Sequence, residues 1–311
     1  MAKFIVRRIV WTIPVILLVI LMTFGMMKAI KGNPFRQTER NIPVAIQKNL
    51  NRQYHLDKPW YVQYAYYVKG VFTWNLGPSM LQRNQTVNDI VSRGFPVSAE
   101  LGGLAMLFAI IVGIPLGIIS ALRQNSIFDY AAMALSNIGF AIPAFLTSTL
   151  FLYFFALKWG SVTGFPTFGW SGFHSKVLPS IALGLGPMTY FARLVRGSML
   201  ETMQQDYIRT AKAKGLRWQR VVGLHVLRNS LIPAVTAAGP LLGYLVTGSF
   251  IIERIFAIPG IGQYYVTSIN SRDLSVTMGL TVLLSILIIV ANLFVDVAYG
   301  LLDPRTRDQR A

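Results

Sequence analysis

The chain has 311 residues, of which 53% are apolar and only 13% are charged. Soluble domains carry about 25% charged residues, so this composition excludes an ordinary soluble protein and is typical of one that spans a membrane. The absence of cysteine excludes disulfide and thiolate chemistry. The net charge is +17, but binding of nucleic acid would need a soluble basic face, which this chain does not offer. We therefore expect no nucleic-acid partner.

Six apolar segments approach or exceed the roughly 20 residues that cross the hydrocarbon core as a helix. In chain order they are Ile9–Met27, Val97–Leu122, Tyr130–Leu157, Val177–Ala192, Leu231–Ile252 and Val276–Val295. None shows the alternation of a strand, and helices satisfy the backbone polar groups in lipid. We therefore predict an all-α polytopic membrane protein with about six transmembrane helices. The first segment is too long for a signal peptide, and we interpret it as a retained anchor helix.

The distribution of basic residues predicts the orientation. With the N-terminus inside, most bases of the short loops fall on the cytoplasmic side, including eight between Arg193 and Arg228. Basic loops stay in the cytoplasm, so we expect both termini to be cytoplasmic. The predicted organisation is an N-terminal tail and first helix in 1–30, an external segment in 31–96, a five-helix core in 97–302 that includes a cytoplasmic loop in 193–230, and a cytoplasmic tail in 303–311.

The external segment contains one stretch with aromatic residues at helical spacing, Leu56–Gly77. This pattern predicts a short amphipathic helix on the outer leaflet, where Tyr and Trp are favourable. A small self-packed cap and an aromatic ligand site are the alternatives.

Three positions are candidate hinges: Pro115, Pro143 and Gly260. The two prolines lie inside apolar segments, where proline kinks a helix. Gly113 and Gly117 also have the G-x-x-x-G spacing that permits close helix approach. Ordinary packing is the default interpretation of these glycines, and a moving hinge is the alternative.

Motifs of enzymes are missing from the sequence. It contains no G-x-x-x-x-G-K-[ST], no H-E-x-x-H and no G-x-S-x-G, and its three histidines are far apart. We therefore assign no catalytic, cofactor-binding or metal-binding residue, and we do not expect an enzyme. The residues of the substrate pathway are unknown at this level.

Ionisable residues near the ends of the apolar segments are few: Glu100, Glu253 and Asp296. We predict that Asp296 pairs with Arg193 or Arg196 near the cytoplasmic boundary; a proton relay is the alternative. A self-contained secondary carrier or channel would depend on such an intramembrane charge.

The cytoplasmic loop contains the stretch "DYIRTAKAKGLRWQRVVGLHVLRNSLIP", from Asp206 to Pro233. Asp206 is predicted to cap a helix over Tyr207–Lys214, and Gly215 to end it. A second helical run covers Trp218–Leu227. Small residues among the bases would allow close docking against an acidic partner or lipid headgroups.

This stretch resembles the coupling loop of permease subunits of ABC importers, whose general pattern is E-A-A, three residues, G. Gly215 and Ala211 match the glycine and second alanine, while Thr210 and Arg209 replace the first alanine and the glutamate. The form "YIRTAKAKG" followed by "HVLRNSLIP" is similar to the oligopeptide and dipeptide permease family, which also includes nickel and glutathione importers. Further stretches that resemble this family, in the same order, are Leu56–Tyr64, Ala192–Glu201, Phe256–Gln263 and Leu301–Arg307.

The resemblance implies a permease of an ATP-driven importer in a prokaryotic cytoplasmic membrane, with peptides as cargo. A nickel chelate, glutathione or another small solute is the alternative cargo. The implied partners are a sister permease, one or two cytoplasmic P-loop ATPases that bind ATP and Mg²⁺, an external substrate-binding protein and membrane lipid. The residues expected to couple to the ATPase are Asp206, Tyr207, Arg209, Thr210, Ala211, Ala213, Lys214 and Gly215.

Overall fold

The computed structural model describes residues 2–29, 52, 55–82 and 84–302, and the regular elements of these residues are helices. The predicted tail in 303–311 and most of the external stretch from 31 to 54 lie outside the described residues. The predicted all-α fold class is confirmed.

The first half of the chain contains the amino-terminal helix, a shorter helix after it and the longest helix. They are α1 (Ala2–Ala29), α2 (Trp60–Phe72), α3 (Val87–Leu122), α4 (Ile127–Ala141) and α5 (Ala144–Phe151), which continues as a π-helix over Leu152–Lys158. A single turn, α6 (Gly160–Thr163), follows.

The second half contains the helices around the cytoplasmic loop. They are α7 (Phe173–Met203), α8 (Asp206–Ala213), α9 (Trp218–Val221) with a π-helix over Val222–Val226, α10 (Leu227–Ser230), α11 (Ile232–Val246), α12 (Phe250–Ile255), α13 (Ile261–Ser271) and α14 (Leu274–Leu302).

Within the described residues, two single helices are long and apolar enough to cross a membrane, α3 and the part of α14 over Leu274–Leu293. Two further helix pairs qualify if each bent pair is one span: Ile127–Ala141 with Ala144–Lys158, bent by 99°, and Trp218–Ser230 with Ile232–Val246, bent by 41°. The total of about six transmembrane helices stays a prediction.

The helix boundaries differ from those of the apolar segments. α3 begins at Val87 rather than Val97, because the Thr86 side chain and Asp89 form a capping box. The apolar segment Leu231–Ile252 is interrupted, since α11 ends at Val246 and α12 begins at Phe250.

The two candidate proline hinges differ in their local structure. Pro143 immediately precedes α5, at the 99° bend, so the expected break at this proline is present. Pro115 lies inside α3, which continues through it to Leu122. Hinge motion at either proline stays a prediction.

Close packing of α3 against α7 forms the centre of the molecule. A Cβ added at Gly113 would collide with the carbonyl oxygen of Met188, and one added at Gly117 would meet that of Ala192 at 2.5 Å. The contacts advance along both chains in the same direction, so the two helices are parallel. Small residues at such an interface let the backbones approach closely, which confirms packing as the role of the G-x-x-x-G spacing.

The external helix predicted within Leu56–Gly77 is α2. Its Tyr64 hydroxyl donates a hydrogen bond of 3.0 Å to the carbonyl oxygen of Leu17 on α1. Val71 of α2 is buried in a cluster with Phe24 of α1 and Met278 of α14. This helix is thus packed onto the first and last long helices.

Candidate functional site: the loop after α7 and its connections

The candidate coupling helix is α8, which begins two residues after the long helix α7 ends. Gly215 follows it with φ +77°, and its N–H donates to the carbonyl oxygen of Lys212 at 2.9 Å. A positive φ favours glycine, so the predicted helix stop at Gly215 is confirmed.

Asp206 does not cap this helix, contrary to the prediction. It is the first helical residue, Gln205 occupies the preceding position, and no side-chain hydrogen bond caps this end among the described residues. The exposed Asp206 carboxylate instead lies 3.7 Å from the guanidinium of Arg209, one turn along the helix. Such an exposed pair contributes at most about 1 kcal/mol.

One face of α8 is buried against the rest of this chain. Ile208 is fully buried and Ala211 is 7% exposed, and both pack in the cluster that contains Met199, Val221 and Val226. Residues three apart lie on one helix face, which explains why these two are buried together. The expectation that Ala211 faces a partner is therefore wrong, because its side chain holds α8 to its own core.

The opposite face of α8 is exposed and basic. The side-chain hydroxyl of Thr210 is satisfied within the helix, donating to the carbonyl oxygen of Asp206 at 3.0 Å. The Lys212 ammonium lies 4.3 Å from the ring of Trp218. The exposed residues of α8 and its C-terminal turn are Asp206, Tyr207, Arg209, Thr210, Lys212, Ala213, Lys214 and Gly215.

The exposed face continues past the turn. A surface concavity of about 580 Å³ is lined by Gly215, Leu216, Arg217, Gln219 and Arg220. The Tyr207 hydroxyl accepts a 2.9 Å hydrogen bond from the side chain of Asn229, which ties α8 to α10. Within the described part of the chain, the only carboxylate paired with a base of this surface is that of Asp206, so the surface suits an acidic partner.

Ala211→Trp is expected to lower the free energy of unfolding by about 1–3 kcal/mol, because a buried small residue becomes too large for its site. Thermal unfolding of the purified protein in mild detergent measures this. Ala213→Trp is the matched control, since Ala213 is exposed on the same helix. Equal unfolding temperatures for the two variants would contradict the burial of Ala211.

An ion pair with a buried carboxylate connects α7 to the first turn of α4. Asp129 is 2% exposed, and its two carboxylate oxygens accept 2.8 Å hydrogen bonds from Nε and a terminal nitrogen of Arg196. The Ser120 hydroxyl and the Asn125 backbone N–H also donate to this carboxylate. Bidentate geometry fixes the relative orientation of its partners, so the pair holds α7 against α4 shortly before α8.

The sequence prediction missed this pair. It paired Arg193 or Arg196 with Asp296, whose side chain lies outside those described; Arg196 binds Asp129, and Arg193 donates to the side-chain oxygen of Asn137. A local signal was present, because Ser126 and Asp129 have the spacing of a helix N-terminus, and the Ser126 side chain accepts from the backbone N–H of Asp129.

At the other end of the core, the buried carboxylate of Glu253 binds the backbone of the motif "FAIPGIGQ". Glu253 is fully buried, and its oxygens accept from the Ser98 hydroxyl at 2.8 Å and from the backbone N–H of Gly262 at 2.8 Å and Gln263 at 3.3 Å. The carboxylate thereby caps α13 and joins it to α3.

Gly260 packs directly against this carboxylate. An added Cβ there would collide with an oxygen of Glu253 and with the Ser98 hydroxyl. Its φ of −92° and ψ of 175° are open to any residue, so close approach is what requires glycine. Hinge motion at Gly260 stays a prediction.

Glu253→Gln is expected to lower the free energy of unfolding by about 1–3 kcal/mol, because the amide cannot accept all the hydrogen bonds that the carboxylate accepts. Chemical unfolding in detergent measures the loss. Glu201→Gln changes an exposed glutamate and is expected to be neutral. A neutral Glu253→Gln would show that the cap contributes little.

Comparison with known proteins places this architecture in a family. The profile of the binding-protein-dependent transport system inner membrane component matches residues 113–308, and the N-terminal profile of the same components matches residues 1–101. The chain therefore belongs to the inner membrane components of binding-protein-dependent transport systems, a permease subunit rather than an enzyme, as the loop motif predicted.

Individual relatives cover the whole chain. It is 48% identical over 307 residues to the dipeptide transport system permease protein DppB of Bacillus subtilis, covering 99% of this chain and 98% of the relative. It is 40% identical over 311 residues to the oligopeptide transport system permease protein OppB of Salmonella typhimurium, covering 99% and 100%.

Solved structures share the fold at lower identity. The inward-facing MetNI methionine ABC transporter matches with a TM-score of 0.56 and 21% identity, over 69% of this chain and 96% of that chain. An amino acid ABC transporter matches with a TM-score of 0.56 and 12% identity, over 76% and 98%.

Proposed function

We propose that this chain is the membrane-spanning permease of an ATP-driven importer that moves dipeptides and oligopeptides into the cell. The full-length similarity to a dipeptide permease at 48% identity carries this proposal. The cargo reaches the permease from an external substrate-binding protein, and the chain pairs with a sister permease in the cytoplasmic membrane.

The exposed face of α8 is the docking surface for a cytoplasmic ATPase in this proposal. Tyr207, Arg209 and Lys212 are exposed on it, while Ile208 and Ala211 fix the opposite face to the core. A helix held in this way transmits a push or pull without sliding along its support. Both termini then lie in the cytoplasm, on the same side as α8.

The Asp129–Arg196 pair is the proposed connection from α8 into the membrane helices. Arg196 lies on α7, two turns before that helix ends, and Asp129 lies in the first turn of α4. A displacement of α8 therefore moves α7 and α4 together.

ATP and Mg²⁺ bind the partner ATPases. ATP binding shifts the permease between inward-open and outward-open states, which requires only that the two states differ in stability with ATP bound.

Affinity purification of the tagged chain from its native membrane, followed by mass spectrometry, tests the assembly. We expect a second permease and one or two P-loop ATPases. The chain purifying alone, under conditions that keep a known ABC importer intact, would favour a self-contained carrier or channel.

Uptake by the purified complex in liposomes tests the cargo. We expect ATP-dependent accumulation of a radiolabelled dipeptide in the presence of the binding protein. Accumulation of glutathione or a nickel chelate, with no dipeptide uptake, would overturn the peptide assignment while preserving the importer. Uptake without ATPases would overturn the ATP-driven mechanism.

A further inference from the structure

A cluster of charged and aromatic side chains lies at the end of the core opposite to α8. Glu100 lies in the first half of α3, and Lys176 lies near the beginning of α7, which runs parallel to it. From Lys176 to the end of α7 the helix rises about 40 Å at 1.5 Å per residue, so the cluster and α8 lie at opposite ends of this helix.

The cluster surrounds an ammonium group. One oxygen of Glu100 accepts a hydrogen bond from the Lys176 ammonium, and the other accepts one from the indole N–H of Trp170 at 2.9 Å. The same ammonium lies 5.4 Å from the centre of the Trp170 ring. A carboxylate beside an aromatic face is the arrangement that binds primary ammonium groups.

The two charged side chains of this site are partly exposed, and the position of Trp170 beside them is fixed. The Glu100 and Lys176 side chains are 43% and 23% exposed, and an ion pair at such exposure stabilises a protein little. Replacing the Lys176 ammonium by another ammonium group therefore costs little free energy. Trp170 is held in place because the N–H of neighbouring Gly169 donates to the carbonyl oxygen of Phe256 at 3.0 Å.

We propose that Glu100 and Trp170 form a subsite for the free α-ammonium group of an incoming peptide, with the Lys176 ammonium as its resting occupant. The peptide ammonium displaces that of Lys176 from its place between the carboxylate and the ring. This inference rests on the proposed peptide transport and adds the side chains that recognise a peptide end.

The subsite predicts unequal effects of removing the two charges. The experiment uses the complete complex in liposomes and binding protein preloaded with alanyl-alanine at a saturating concentration, so that affinity for the binding protein does not limit the rate. We expect Glu100→Gln to slow uptake by about fivefold. Lys176→Met, which empties the site, is expected to keep at least the wild-type rate.

Two further variants separate ligand recognition from protein stability. In Glu100→Gln/Lys176→Met no unpaired lysine remains, yet uptake is expected to stay as slow as in Glu100→Gln. Lys158→Met is the matched control, because Lys158 is an exposed lysine 5.8 Å from the Trp159 ring with no paired carboxylate among the described residues, and it is expected to transport normally. Thermal unfolding and ATPase stimulation by the loaded binding protein are expected to be unchanged throughout.

Three results would overturn the subsite. These are equal slowing by Glu100→Gln and Lys176→Met, recovery of the rate in the double variant, and a normal rate in Glu100→Gln. Each is distinct from failure of the proposed function, in which the wild-type complex itself would take up no alanyl-alanine.

Discussion

Arg196→Met is expected to lower the free energy of unfolding by about 3 kcal/mol, because it leaves a buried carboxylate without its cation. Asp129 is 2% exposed, so its carboxylate has little contact with water, and the Ser120 and Asn125 hydrogen bonds remain as partial compensation. Unfolding of the purified protein in a denaturing detergent titration measures the loss.

Two companion variants identify the cause. Arg193→Met removes a neighbouring arginine that is exposed and bonded to a neutral amide, and it is expected to change stability by less than about 1 kcal/mol. Arg196→Met/Asp129→Asn removes the buried charge as well, so part of the loss should return. If the double variant is no more stable than Arg196→Met, the uncompensated charge is not the cause.

Local patterns in the sequence predicted much of this molecule correctly. Long apolar segments predicted the all-α class, and the placement of Gly215 after the "YIRTAKAK" stretch predicted the end of α8. Each of these features depends on residues close together in the chain, where periodicity and backbone preference act. The family was recognisable for the same reason, since its loop motif is contiguous.

Contacts between distant residues account for most of what the sequence did not predict. Asp129 and Arg196 are 67 residues apart, and Ser98 and Glu253 are 155 apart. No periodicity relates such positions, so the ion pair was assigned to a different acid and the buried cap was not anticipated.

The burial of Ala211 was missed although a local signal existed. Ile208 and Ala211 have the spacing of one helix face, but the surrounding bases led to the prediction of a docking face instead. The Thr86 capping box was also present in the sequence and places the start of α3 at Val87. Small residues among bases therefore indicate either a docking face or a buried one, and the position of the nearest large apolar residue distinguishes the two.

Gly215→Val is expected to reduce peptide uptake by the complex by about five- to thirtyfold while the subunit still inserts and folds. Its backbone has φ +77°, and no atom lies within 4 Å of an added Cβ, so the cost is backbone strain rather than collision. A left-handed conformation costs a side-chain-bearing residue about 1–2 kcal/mol, which shifts a conformational equilibrium by about five- to thirtyfold. The turn would relax and reorient α8 against the ATPase. Uptake per ATP hydrolysed is the measurement.

The matched control is Gly223→Val, in the same loop. Gly223 is also exposed with no atom within 4 Å of an added Cβ, but it lies in a helical segment with negative φ, so valine adds the same bulk without the left-handed strain. We also expect Gly215→Asn to retain most uptake, because asparagine tolerates positive φ. If Gly215→Val and Gly223→Val lower uptake equally, added bulk on the loop is responsible and the conformation of the turn is not what couples α8 to transport.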